Sequence, residues 1–106
     1  MTRSNLTLTM PKLDSSSWWV YLILTESQHL YTGITTNPER RFQEHLATHE
    51  GTGKKGAKFF RGHKPVKLAY QETAKNRSEA SKREIAIKKL PKKKKLLLIS
   101  RSNAPA

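Results

Sequence analysis

Two short segments rich in aliphatic, β-branched and aromatic residues stand close together near the beginning of the chain. Residues 18–24 and 30–35 each have the composition of a β-strand. The five polar residues between them match the length of a hairpin connection. This spacing predicts an antiparallel hairpin, against which the remaining elements must pack.

A helix is predicted directly after the hairpin. Asn37 has the side chain of an N-cap, Pro38 suits the first helical turn, and Glu39 lies beside the positive end of the helix dipole. We expect this helix to run to about His49 and to end at Gly51.

The second half of the chain is predicted to continue with a loop, a strand and two helices. Residues 51–64 contain four glycines and five Lys or Arg residues, which is typical of an exposed loop. Residues 65–73 alternate as a strand does; Ser78 is expected to cap a second helix ending at Leu90, and Pro91 to start a short third helix through Ile99. The order β-β-α-β-α-α predicts an α+β fold, with a small, mainly antiparallel sheet of three strands flanked by helices.

The composition limits the class of protein. A chain of 106 residues has room for one domain, which we place at residues 18–100, between a disordered leader (1–17) and a flexible tail (101–106). There is no cysteine, which excludes disulfides and thiolate metal sites and fits a reducing cytoplasm. No apolar stretch approaches the roughly 18 residues of a membrane span, and no signal peptide is recognisable. We therefore expect a cytoplasmic protein without membrane contact.

Positive charge is the strongest compositional signal. The chain has 21 Lys and Arg residues against 8 Asp and Glu residues, which gives a formal net charge of +13. Such an excess is the electrostatic footprint of a nucleic-acid-binding protein. Charge by itself also fits a ribosome-associated protein, and it implies no protein partner.

Glu84 is open to two interpretations. It shares one stripe of the second predicted helix with Ala80, Ile87 and Leu90. A carboxylate among inward-facing apolar residues is costly unless a cation meets it, and a divalent metal ion would do so. The alternative is a surface ion pair with Lys88, one turn further on, worth about 0.3–0.5 kcal/mol.

Arg41 and His45 share a face of the first predicted helix, at the border of its apolar stripe. An arginine at such a position can hold a phosphate bidentately and stabilise the charge that develops on it during attack. The alternative is a solvated helix face, which we expect for the neighbouring Arg40.

Tyr21 and Tyr31 stand in different strands of the predicted hairpin. A tyrosine activates water only if a nearby cation brings its pKa, ordinarily about 10, toward neutrality. The two side chains face the same side of the sheet only if the residue numbers of the cross-strand pairs add up to an even number. A two-residue turn at 27–28 gives an odd sum, so a shared site requires a three-residue loop or a bulge.

Several segments together resemble the GIY-YIG nuclease superfamily, in particular its small stand-alone bacterial proteins of the URI type. In chain order they are YTGITT at 31–36, ERRFQEH at 39–45, KGAK at 55–58, RSEA at 77–80, KRE at 82–84 and IKKL at 87–90. The resemblance covers residues 18–100. It implies a three-stranded antiparallel sheet flanked by helices, and hydrolysis of phosphodiester bonds with one Mg²⁺ or Mn²⁺ ion.

The resemblance also implies roles for individual residues. Tyr21 and Tyr31 match the paired tyrosines of the family, one of which acts as general base, and we favour Tyr21. Arg41 matches the phosphate-stabilising arginine, His45 the His/Tyr position of the first helix, and Glu84 the glutamate that binds the metal.

Gly33 matches a structural glycine of the second motif, which permits a close approach to its strand. The first motif retains only its tyrosine, and Ile34 stands where some active members carry lysine. These departures keep a second function open, namely a nucleic-acid-binding module with little activity.

Further basic residues are expected to contact backbone phosphates without reading sequence: Lys54, Lys55, Lys58, Arg61 and Lys88. The loop that contains four of them lacks the Gly-Lys-Ser/Thr ending of a P-loop. His45 and His49 have a spacing that zinc ligands use, but no further ligand accompanies them.

Our leading hypothesis is a DNA endonuclease or exonuclease of low sequence specificity; the alternatives are the binding module and a role in ribosome or RNA biology.

Overall fold

The computed structural model describes residues 17–103. Its elements are strands β1 (Trp18–Thr25) and β2 (Leu30–Thr35), helix α1 (Pro38–Glu50), a 3₁₀ turn (Lys58–Arg61), strand β3 (Pro65–Ala74), and helices α2 (Arg77–Lys88) and α3 (Lys92–Asn103). The predicted element order and the α+β class are confirmed. The predicted leader, apart from its last residue, lies outside the described residues.

The sheet has three antiparallel strands in the order β2–β1–β3. β1 is therefore the central strand, and the four residues from Val20 to Ile23 are almost completely buried. Because both faces of a central strand are covered, its inward and outward side chains are all apolar, and the sequence does not alternate between apolar and polar residues. This explains why its sequence is a continuous apolar run.

Two core clusters lie on opposite faces of the sheet. Val20 and Leu22 pack with Ala80 and Ile87 of α2. Tyr21 and Ile23, which alternate with them along β1, pack on the other face with Phe60 and with the partly buried Phe42 of α1. The alternation within one strand thus divides the small core into two layers.

Polar side chains and a glycine set the ends of the first two helices. Asn37 caps α1 by accepting a hydrogen bond from the Arg40 backbone N–H (3.1 Å), and Gly51 ends the helix in the left-handed conformation (φ 80°), as predicted. The N-cap of α2 is Asn76, which accepts from the backbone N–H of Glu79 (2.9 Å). The predicted cap, Ser78, is wrong because that residue is already helical.

The segment 51–64 is not the simple exposed loop that was predicted. Phe60 lies in the 3₁₀ turn and is completely buried beside Tyr21 and Ile23. A helical turn of four residues is too short to produce a periodic pattern, so the sequence shows only its Gly and Lys residues. The lysines of this segment are exposed, whereas Phe60 is buried in the core.

Strand β3 contains a bulge that its alternating sequence does not reveal. Tyr70 pairs with Leu22, whereas Leu68 pairs with Ile23, so the register shifts between the two pairs. The shift turns Leu68 and Tyr70 to opposite faces, and each packs in a different core cluster. Val66, beyond the bulge, remains half exposed.

Helix α3 is longer than predicted. It runs to Asn103 rather than to Ile99, so the predicted flexible tail begins inside a helix. Leu98 and Ile99 pack against the cluster around Val20, whereas Leu96 and Leu97 are about half exposed. Among the described residues, no helix is both long and apolar enough to cross a membrane.

We predict that Gly33→Ala destabilises the fold by about 1–3 kcal/mol, the usual range for overpacking a filled core. A methyl group at Gly33 would overlap the Tyr21 side chain and lie only 2.6 Å from its Cζ atom. Urea unfolding measures the change. Gly62→Ala is the matched control, because nothing lies within 4 Å of that position, and its stability should change by less than about 0.5 kcal/mol. Equal stability of Gly33→Ala and wild type would contradict the close approach.

Candidate active site

Tyr21 and Tyr31 lie on the same face of the sheet. Tyr21 pairs with Gly33, and Ile23 pairs with Tyr31, which is the even register that a shared site requires. The cause is a three-residue loop, closed by a hydrogen bond from the Thr25 N–H to the His29 carbonyl (3.0 Å). The two phenol rings are 6.3 Å apart between centroids. Of the two arrangements that would allow a shared site, a three-residue loop or a bulge, the hairpin has the three-residue loop.

His45 connects helix α1 to Tyr21. Its ring is completely buried, and its Nε2 lies 2.8 Å from the Tyr21 hydroxyl oxygen. Its Nδ1 accepts a hydrogen bond from the backbone N–H of Ala57 (3.1 Å). Because an accepting ring nitrogen carries no proton, the neutral ring is protonated at Nε2 and donates to Tyr21. One lone pair of the Tyr21 oxygen is therefore occupied, while its own O–H remains available to another acceptor.

Gly56 brings the loop close enough to make this contact. Its backbone N–H donates to the Thr48 hydroxyl (2.8 Å). A side chain at Gly56 would place its Cβ 2.7 Å from backbone atoms of Glu44 and His45, so the loop can lie directly on α1 only with glycine there. The sequence KGAK was noted in the family resemblance, but its role in fixing the histidine tautomer was missed.

Burial and charge hold both buried groups in their neutral forms. Burial lowers the pKa of His45 to about 4, and the Arg41 charge acts in the same direction. Burial also raises the pKa of Tyr21; Tyr31 adds to this, and Arg41 partly offsets it. At neutral pH the pair is thus an uncharged imidazole donating to an uncharged phenol.

Tyr21, Tyr31 and His45 are in mutual ring contact and form what we call the tyrosine cluster. Arg41 lies at its edge, beside Tyr21. Its guanidinium donates to Glu44 Oε1 (2.7 Å) and to the Lys55 carbonyl (2.8 Å), and its side chain is 27% exposed. It is close enough to Tyr21 for its charge to affect the phenol pKa. Glu44, which fixes this orientation, was missed by the sequence reasoning. Arg40 is much more exposed, at 56%, as expected of a solvated neighbour.

Glu84 lies on the inner side of α2 but is not isolated. Its side chain is 21% exposed, and its Oε2 is 3.3 Å from the Lys88 ammonium. The ion pair that the sequence left as an alternative is therefore present. Glu84 is also close enough for its charge to raise the pKa of Tyr21. The carboxylate thus belongs to the surroundings of the tyrosine cluster and remains accessible from solvent.

The donor set fits one hard divalent cation better than zinc. Within residues 17–103, no three His, Cys, Asp or Glu side chains come together as a ready-made metal cage. Mg²⁺ commonly binds through one or two carboxylates and completes its shell with water and substrate phosphate oxygens, which suits a single accessible glutamate. The zinc alternative fails because both ring nitrogens of His45 are engaged in hydrogen bonds, which leaves no nitrogen of that ring to bind zinc together with His49.

The other basic residues proposed for phosphate contact are exposed. Four of them belong to the segment 51–64 that follows α1, namely Lys54, Lys55, Lys58 and Arg61. Lys88 is also exposed but pairs with Glu84. The Lys55 carbonyl accepts a hydrogen bond from Arg41, so this part of the loop adjoins Arg41, whereas Lys88 lies beside Glu84.

Comparison with known proteins identifies the class of domain that this arrangement represents. Residues 17–96 match the model of the GIY-YIG catalytic domain. This match covers most of the chain, and the protein therefore belongs to the GIY-YIG family.

The similar proteins narrow the group further. The chain is 46% identical over 92 residues to the UPF0213 protein DP2720 of Desulfotalea psychrophila (87% of this chain, 79% of that protein), and 42% identical over 83 residues to the UPF0213 protein YhbQ of Escherichia coli O127:H6 (78% and 77%). A solution NMR structure of the UPF0213 protein BH0048 from Bacillus halodurans is 31% identical, with a TM-score of 0.50 over 84% of this chain and 88% of that one. The protein EF2693 of E. faecalis gives 33% identity and a TM-score of 0.50 over 85% and 92%. The resemblance to small bacterial GIY-YIG proteins is thereby confirmed.

We predict that folding stability falls by about 2 kcal/mol between roughly pH 7.5 and pH 5 because of His45 alone. Its pKa is about 4 in the folded protein and about 6.5 when unfolded, so the unfolded chain binds the extra proton first and stability decreases as pH falls through this window. Urea unfolding at both pH values measures the change. His45→Gln should lose this component, whereas the control His63→Gln should retain it. An identical pH response in His45→Gln and wild type would contradict the assignment.

Proposed function

We propose that this protein hydrolyses phosphodiester bonds in nucleic acid, with DNA as the first substrate to test and one Mg²⁺ or Mn²⁺ ion as cofactor. The observation that supports this most directly is the Tyr21 hydroxyl, held by His45 on a face shared with Tyr31. Arg41 and Glu84, of opposite charge, both act on that hydroxyl. Membership of the GIY-YIG catalytic domain family and the net charge of +13 point to the same substrate class.

In this proposal Arg41 binds the scissile phosphate and stabilises the charge that develops on it. It exchanges its contact with Glu44 for the phosphate, which is inexpensive because the pair is partly solvated. Glu84 would hold the metal ion in place of the Lys88 ammonium. When bound, the ion supplies positive charge to the phosphate and lowers the pKa of bound water.

Tyr21 first loses its O–H proton to solvent, and as a phenolate it orients the attacking water and receives the proton of that water. His45 keeps one side of the phenol oxygen occupied, so the O–H and the remaining lone pair face the cluster. Because burial favours the neutral phenol, Tyr21 can act as a base only while additional positive charge is bound nearby. Proton transfer would therefore depend on binding of the metal ion. Tyr31 packs beside Tyr21 and His45 and completes the wall of the site.

A second candidate function is nucleic-acid binding without efficient cleavage. Both charged groups of the proposed site are already paired, Arg41 with Glu44 and Glu84 with Lys88. If these pairs persist when nucleic acid binds, the fold and the basic surface remain while the metal has no ligand.

Cleavage with matched variants separates the two functions. We expect the purified protein to nick or degrade single-stranded, branched or duplex DNA in the presence of Mn²⁺, and to do nothing in EDTA. Arg41→Ala should reduce the rate about 10²–10³-fold, the usual effect of losing one such donor, and Glu84→Ala should abolish the metal-dependent cleavage. The controls are Arg40→Ala and Glu79→Ala, which remove the same charges from exposed positions nearby.

Equal residual cleavage in wild type and all four variants would identify a contaminating nuclease and favour the binding function. Far-ultraviolet circular dichroism and thermal unfolding should show that Arg41→Ala and Glu84→Ala remain folded.

Binding should weaken steeply with salt, whichever function is correct. If about five basic residues contact phosphates, the logarithm of the duplex affinity should fall with the logarithm of salt concentration at a slope of roughly −4 to −5. Lys54→Gln/Lys58→Gln should make the slope less negative by about 2. The control Lys75→Gln/Lys82→Gln removes the same charge from other exposed positions. A flat salt response in the wild type would contradict a nucleic-acid partner.

A further inference from the structure

A hollow of about 510 Å³ lies next to the candidate active site, between the β1–β2 loop, strand β2 and the helices α2 and α3. Its volume is in the range of small-molecule and cofactor sites. None of the functions assigned so far uses it. Tyr31 and Lys88 line it, so it adjoins both the tyrosine cluster and the Lys88 partner of Glu84.

One wall of the hollow is aromatic. His29, Tyr31 and Phe59 line it. The rings of Tyr31 and Phe59 are stacked, with 5.4 Å between centroids, and His63 stacks on Phe59 at 4.3 Å. Such a group of planar rings at an accessible surface is what proteins use to hold unpaired nucleobases, since every base has a face that can stack.

The other wall is cationic. Lys88, Lys92 and Lys95 line the hollow from α2 and α3. Lys92 donates to the carbonyl of Gln28 and connects α3 to the hairpin loop, whereas the Lys95 ammonium has no hydrogen-bond or ion-pair partner among residues 17–103. The first turn of α3 has no acidic residue to balance these charges. Lysines at the positive end of a helix dipole are unfavourable until an anion binds them.

A buried hydroxyl on the same hollow is also unsatisfied. Thr32 lines the hollow and is 3% exposed, yet its Oγ1 has no hydrogen-bond partner among the residues that the structure describes. A buried polar group without a partner costs about 1–3 kcal/mol. A ligand with hydrogen-bonding edges would recover that loss.

We infer that this hollow, which we call the Phe59–Lys95 hollow, binds one unpaired nucleotide of the substrate, with the base against the aromatic wall and a phosphate against the lysines. This inference rests on the proposed function, because it places the unpaired nucleotide beside the bond that the tyrosine site cleaves. A paired base cannot enter the hollow, since both of its faces are stacked in the duplex. The substrate class is therefore single-stranded nucleic acid or the unpaired part of a branched structure.

Equilibrium binding in EDTA tests the inference without depending on cleavage. Fluorescence anisotropy compares a labelled thymidine 12-mer, the same 12-mer with abasic sites in its centre, and a 12-base-pair duplex. Wild type should bind the thymidine 12-mer at least about 10-fold more tightly than the abasic one, as expected from stacking. A uridine 12-mer in the same assay distinguishes RNA from DNA as the source of the nucleotide.

Two variants and one matched control locate the effect. Phe59→Leu keeps an apolar side chain but should bring the affinities for the thymidine and abasic 12-mers to within about 2-fold of each other. Lys95→Gln should weaken binding of the thymidine 12-mer about 3–10-fold and make its salt slope less negative by roughly 0.7. Lys94→Gln removes the same charge one residue away from the hollow and should have less than half of that effect on a logarithmic scale.

A direct readout uses a 12-mer with a single 5-iodouracil, which cross-links to nearby aromatic side chains on irradiation. The inference expects the cross-link at His29, Tyr31 or Phe59.

The inference is overturned if wild type fails to distinguish thymidine from abasic 12-mers, or if Lys94→Gln and Lys95→Gln weaken binding equally. Cleavage that occurs without single-strand preference would overturn this inference alone, whereas single-strand binding without metal-dependent cleavage would overturn the proposed hydrolysis alone.

Discussion

The hydrogen bond between His45 and the Tyr21 hydroxyl is the interaction on which the rest of the candidate site depends. It joins the central strand to helix α1, and through the backbone N–H of Ala57 it also engages the loop after that helix. The contact is possible because two glycines remove the atoms that would prevent it. Gly33 leaves room for the phenol, and Gly56 lets the loop lie on the helix backbone. A side chain at Gly33 would displace the Tyr21 hydroxyl, and one at Gly56 would push the loop away from the backbone of α1 at Glu44 and His45.

Buried neutral groups and exposed charged groups have separate tasks in this small domain. The imidazole and the phenol are kept neutral by burial, so they contribute a fixed hydrogen-bonded geometry and no charge. The charges lie at the rim, and each is compensated by a partner within the same helix. Such partly solvated pairs are weak enough to be exchanged for a phosphate or a metal ion. This arrangement gives a rigid interior with a rim that can change partners.

The hairpin loop connects the candidate site to the Phe59–Lys95 hollow. Its length sets the register that turns both tyrosines to one face, and its Gln28 carbonyl accepts the hydrogen bond from Lys92 that brings the start of α3 to the hairpin. Tyr31 belongs to both places, with one side toward Tyr21 and the other lining the hollow. A nucleotide in the hollow would therefore be held close to the proposed reaction centre by the same residue.

The sequence alone determined the element order, the caps at Asn37 and Gly51, the strand pair that carries the tyrosines and the family, because these depend on local patterns and on a spaced set of motif residues. It also showed that the two tyrosines share a face of the sheet only if the hairpin has a three-residue loop or a bulge. It did not reveal the burial of Phe60, the bulge in β3 or the contact of Arg41 with the Lys55 carbonyl, since each depends on contacts between residues far apart in the chain or on a turn too short to show a period. The tautomer of His45 and the hollow beside Tyr31 were likewise decided only by tertiary structure. The tautomer depends on a backbone N–H from the loop after α1. The hollow depends on residues of the hairpin, the 3₁₀ turn, α2 and α3, which come together only in the fold.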